Sequence, residues 1–191
     1  MPIVGQFGSL AGFGVFPGGA LESIATVTVG SGGAANIEFA SIPGGFQHLQ
    51  IRVVARSTHN SGTAGAGNYM NVQFNSDTGS NYSYHNLSGN GASASAAGLS
   101  SQTAIYFQRI AHASESTSVF GVGIIDILDY AAASKNRTVR MLGGVDNNGG
   151  GRVDLTSGAW LSTNAITSVK LTPQTADFAQ YTTAALYGVR A

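Results

Sequence analysis

In FQHLQIRVVAR, residues 46 to 56, Leu49, Ile51 and Val53 fall on one side of an extended chain while His48, Gln50 and Arg52 fall on the other. That period of two belongs to a strand with one covered face and excludes a helix. The same alternation returns in SIATVTV at 23 to 29, in ANIEFA at 35 to 40, and in NYMNVQFN at 68 to 75, which sets Met70, Val72 and Phe74 inward. Further segments of this kind lie at 103 to 109, 118 to 128, 137 to 146, 152 to 161, 166 to 172 and 183 to 189. The run VFGVGIIDIL within 118 to 128 is nearly continuous in apolar residues, which predicts a strand in the middle of a sheet. No stretch carries helical periodicity, and DYAAASKN at 129 to 136 suffices for one turn at most. About ten short strands between turn clusters predict an all-β fold, an antiparallel β-sandwich that is jelly-roll-like. Segments 57 to 67 and 88 to 101, rich in Gly, Ala and Ser, read as surface loops.

Residues 1 to 21 break this pattern. Gly5, Gly8, Gly12, Gly14, Gly18 and Gly19 interrupt Ile3, Val4, Phe7, Leu10, Phe13, Val15 and Phe16, leaving neither helix nor strand periodicity. The division is therefore an irregular N-terminal docking arm at 1 to 21 and a β-sandwich domain at 22 to 191. Leaving such rings in water costs about 1.5 to 3 kcal/mol each, so Phe7, Leu10, Phe13 and Phe16 are expected to dock, either along their own sandwich or on a partner. The segment lacks the basic start and unbroken apolar stretch of a signal peptide and reads as part of the mature protein.

With 191 residues, the chain is long enough for one domain with a real core. Cysteine is absent, which removes thiol and disulfide chemistry. Nine Lys and Arg balance nine Asp and Glu and are scattered singly, so no basic stripe follows a phosphate backbone and nucleic acid is not an expected partner. No run of about 18 apolar residues offers a membrane-spanning helix. Only 9% of residues are charged, against about a quarter in ordinary domains. A weakly charged, neutral surface favours association.

The candidate sites are few. FNSDTGSNYSYH at 74 to 85 clusters Asn75, Asp77, Thr78, Asn81 and Ser83 around a glycine, but it brings one carboxylate and no closing acid for calcium. The same residues stabilise tight turns, so a hairpin corner is expected there, with Tyr82 and Tyr84 starting the next strand. VDNNGGGRVD likewise lacks a closing Glu and reads as a hairpin turn or wide loop. No G-x-S-x-G or H-E-x-x-H occurs, and His48, His59, His85 and His112 sit in unrelated contexts without a paired acid, so no catalytic residue, metal site or cofactor is assigned. Asp126 and Asp129 read as a strand end rather than a glycosidase pair. Tyr82, Tyr84 and Trp160 are the candidate carbohydrate contacts, against a packing role for the same rings.

Four stretches, ESIATVTVGSGGAANIEFASIPGGFQHLQIR, FNSDTGSNYSYHNLSGNG, DILDYAAASKNRTVRMLGG and GAWLSTNAITSVKLTPQTADFAQYTTAALYGVR, resemble a family of tailed-bacteriophage virion structural proteins, described as decoration, head-fibre or tail-fibre proteins. The resemblance implies a non-enzymatic β-sandwich building block located in the virion, a homotrimer, in contact with other capsid or tail proteins. Binding of a host surface glycan at a tail tip is the alternative role.

Overall fold

The structure is a computed structural model and describes residues 19–62 and 67–190. Twelve strands occur among them: β1 (Leu21–Thr28), β2 (Ile37–Phe39), β3 (His48–Ala55), β4 (Asn68–Phe74), β5 (Tyr82–Gly89), β6 (Ala94–Gln102), β7 (Ile105–Ile110), β8 (Gly121–Leu128), β9 (Arg137–Asp146), β10 (Gly151–Trp160), β11 (Val169–Pro173) and β12 (Thr183–Val189). They form an eight-stranded sheet in the order β1-β12-β3-β8-β9-β10-β5-β6 and a four-stranded sheet in the order β2-β11-β4-β7. Every pairing within the two sheets is antiparallel. Setting aside β8, β9 and the outer pair β1 and β12 leaves β3, β10, β5 and β6 in that order across the large sheet, with β2-β11-β4-β7 as the other layer. The chain crosses between them as a jelly roll does. The β8–β9 pair widens the larger sheet from within.

The alternation read from the sequence places the core. Leu49, Ile51 and Val53 of β3, Met70, Val72 and Phe74 of β4, Ile125 and Ile127 of β8, and Val139 and Met141 of β9 are buried between the sheets. Two buried arginines hold the loops at the sandwich ends. Arg137 donates to the carbonyls of Tyr130, Lys135, Thr163 and Asn164, and Arg56 to those of Glu115, Ser116 and Val119. Burial lowers the pKa of both, the charge of Glu115 opposing the shift at Arg56 and that of Asp129 at Arg137.

Two expectations are corrected here. Residues 88 to 101 are not a loop: they complete β5 and supply most of β6, which closes on β5 as a hairpin at the sheet edge. Residues 94 to 101 are exposed, so neither face imposed an apolar alternation on them. The segment after Phe74 is a corner but not a hairpin, because β4 lies in the small sheet and β5 in the large one. Asn75 and Ser76 take left-handed conformations, with φ of 51° and 55°, and turn the chain from one sheet to the other.

Candidate interaction surface

Register across the large sheet fixes what its outer face presents. One row reads Thr183, Val54, Val122, Gly144, Val153 and Gly89, and the next reads Ala185, Arg52, Ile124, Leu142, Leu155 and Leu87. These residues point away from the small sheet. Val122, Leu142 and Val153 remain 57%, 53% and 59% exposed, and Val54, Ile124, Leu155 and Leu87 are also exposed. Side chains that would normally be polar on the solvent side of an antiparallel sheet are here aliphatic across five adjacent strands.

The face has relief as well as polarity. At Gly144 an added Cβ would sit 2.6 Å from the Arg152 carbonyl oxygen, so no side chain fits, and the position is a notch between Val122 and Val153. It forms part of an open depression of about 560 Å³, bounded by Val54, Ile124, Leu142 and Val153. One row further along, the surface turns polar. Gln50 donates to Asp126 at 2.9 Å, and Arg140 lies 3.7 Å from the same carboxylate. On the β12 side, Arg52 leans over the Tyr187 ring and donates to Gln50, which closes the apolar rows.

The residues singled out for carbohydrate are in the core. Tyr82 and Trp160 are stacked 6.4 Å apart, both pack on Phe74, and Tyr84 is also buried. Their ring faces are covered by protein, which leaves none for a sugar. Burial pushes the Tyr82 hydroxyl up to about 12; the bond to the Phe74 backbone opposes the shift and the nearby Asp77 charge adds to it. Phe7, Leu10, Phe13 and Phe16 lie outside the described residues.

The oxygen-rich loop spends its oxygens internally. One carboxylate oxygen of Asp77 accepts from the Gly79 amide at 2.8 Å, and the other from Trp160 Nε1 at 2.7 Å and Asn81 at 3.0 Å. The indole bond first, then Asn81 and Gly79, hold this carboxyl below its usual pKa. In the second loop, Asp146 accepts from the Asn148 amide, and Asn147 accepts from Gly150 while donating to Glu115.

Two histidines do meet acids once the chain is folded. His48 lies 3.5 Å from Asp129, and His112 lies 3.7 Å from Glu115 with Ser61 Oγ 3.1 Å from its Nε2. The second group brings a serine, a histidine and an acid together, as a hydrolase requires. Its hydrogen bonding runs the wrong way, because Nδ1 of His112 accepts the Ser114 amide. A neutral ring then carries its proton on Nε2, facing Ser61, and has no lone pair there to act as base. Glu115 also accepts from Asn147 and lies beside Arg56, so the cluster ties three loops together.

Sequence reasoning reached the alternation of these strands but not their outward side. The signal was present in VFGVGIIDIL, whose even and odd positions are both apolar although only one set is covered. Comparison with known proteins gave no match to a family model, a curated protein or a solved structure.

Proposed function

We infer that the chain is a non-enzymatic structural protein of a bacteriophage virion, a jelly-roll sandwich that decorates the particle through apolar contacts. The observation that carries this is the aliphatic outer face of the eight-stranded sheet, since a contiguous patch of that kind marks an interaction site. A chain with 9% charged residues and zero net charge is suited to a crowded assembly rather than to free solution. The four stretches that resemble phage virion proteins supply the setting, with other capsid or tail proteins as partners and three copies as the implied arrangement. Phe7, Leu10, Phe13 and Phe16 are the docking residues of the arm, and repetition of the contact multiplies its strength. Particles assembled with a chain lacking residues 2 to 19 test this directly. Incorporation should fall to background, and undiminished incorporation would refute docking by the arm.

A second role, recognition of a host surface glycan, moves to other residues. Tyr69 and Tyr106, on β4 and the edge strand β7 of the small sheet, are half-buried with rings 6.3 Å apart, Tyr106 resting on buried Tyr84 and the Arg109 guanidinium lying over Tyr69. Aromatic faces beside a polar fork are what a sugar ring stacks on. Glycan-array binding by the purified chain, lost in Tyr106→Ala, would favour this role over decoration.

A further inference from the structure

We propose that the outer face of the eight-stranded sheet is a self-contact, covered in solution by the same face of a second copy of this chain. The proposal rests on the reading that this face serves assembly, and goes further by naming its occupant.

Area is the first argument. Half-exposed Val54, Val122, Ile124, Leu142, Val153 and Leu155, with Leu87 beside them, present on the order of 500 Å² of unbroken apolar surface, at the upper end of what a monomer leaves open. Two such faces laid together cover on the order of 1,000 Å² in all, the threshold for a specific interface. Shape is the second. The Gly144 notch and the Leu142–Leu155 pair lie one row apart on the same surface, so each copy offers both a hollow and a ridge. A contact between identical faces requires that combination, and two sheets meeting face to face interdigitate in this way.

Charge is the third argument. The apolar rows contain Arg52 as their one ionised residue, and it is turned towards Tyr187. Along the adjoining row Asp126 and Arg140 carry opposite signs, so a second copy laid in the reverse direction brings unlike charges together. Formal net charge is zero, and like copies do not repel at long range. A glycan or an acidic partner would find too few donors on these rows.

Sedimentation velocity of the full chain between about 1 and 100 μM, with Leu142→Glu beside it, reads the contact. The wild type should sediment as two chains, because a contact between identical faces closes on itself; a particle of three chains is held by another surface and overturns the self-contact. Leu142→Glu should reach the mass of one chain, with association weakened at least ~100-fold by an unpaired buried charge. Its thermal melt should still be cooperative, because the replaced side chain is exposed in the single chain.

The native chain has no cysteine, so Leu142→Cys supplies a unique thiol. Mild oxidation should link Leu142→Cys chains in pairs and leave Leu161→Cys, exposed beyond the end of β10, unlinked. A wild type that sediments as one chain at every concentration overturns the self-contact. So does a multimer whose Leu142→Cys fails to link, because another surface then holds the copies. A full chain that is single but becomes multimeric once residues 2–18 are removed overturns it as well, with the arm identified as the occupant. Incorporation into particles separates the two levels: a single-chain protein that still enters particles sinks the self-contact and leaves the structural role intact.

Discussion

Asp77 is a small acid with a large positional job. It is the acceptor for the indole N–H of buried Trp160, and it closes the corner through Gly79 and Asn81. Composition alone gave the turn chemistry of this segment, because Asp, Asn and Gly in sequence have few other uses. It did not give the link to Trp160, which lies 83 positions away and is brought near only when β4 and β5 separate into different sheets. Replacing Asp77 by Ala leaves a buried indole donor unpaired and should cost about 1 to 3 kcal/mol in denaturant unfolding. The pH dependence has a fixed sign. Because the folded carboxyl titrates below its unfolded value, its contribution is complete above about pH 4 and is lost as pH falls through the folded pKa. Wild type should therefore lose stability on acidification by an increment that Asp77→Asn lacks. Equal acid slopes for the two proteins would show that the carboxylate contributes nothing through its charge.

Elements were legible where one face of a strand is covered and illegible where neither is. The strands β3, β4 and β9 were recovered from Leu49, Met70, Met141 and their neighbours, since the small sheet demands an apolar residue at each inward position. In β6 no such demand exists, and alanine, serine and glycine carry no period, so a real strand read as a loop. Close approach between elements is equally silent in a sequence. Gly158 on β10 faces Ile105 of β7, and a Cβ there would lie 2.6 Å from Ile105 Cγ2. Ile105 is fully buried and its branched χ1 gives it little room to withdraw. Gly158→Ala should destabilise the sandwich by about 1 to 3 kcal/mol through overpacking. Combined with Ile105→Ala, which removes the Cγ2 and Cδ1 atoms that a Cβ would meet, it should cost less than the sum of the two single changes, a coupling that a double-mutant cycle in chemical denaturation measures. Additive costs would mean that strain at Gly158 arises from the backbone and not from Ile105.

At the scale of the whole molecule, the large sheet has one face covered by the small sheet and another that is chemically similar but open. The near-continuous apolar run in β8 foretold a central position in the sheet, and β8 lies between β3 and β9. Its outward residues Val122 and Ile124 were read with the rest as marking that position, although nothing among the described residues buries them. The sequence pattern is that of a strand covered on both sides, which is the condition the proposed self-contact would restore. The forces holding that state then follow from the composition of the face. Aliphatic burial weakens on cooling and strengthens with excluded salts such as sulfate, whereas contacts between charges are screened by any salt. Association of this chain should accordingly tighten between about 5 and 30 °C and in sulfate. Raising sodium chloride from ~0.05 to ~0.5 M should leave it nearly unchanged, because the Asp126 and Arg140 contribution is small beside the aliphatic rows. Sedimentation equilibrium across these conditions is the measurement. Dissociation by sodium chloride, with no response to temperature, would place the adhesive surface among the charged residues and away from Val122, Leu142 and Val153.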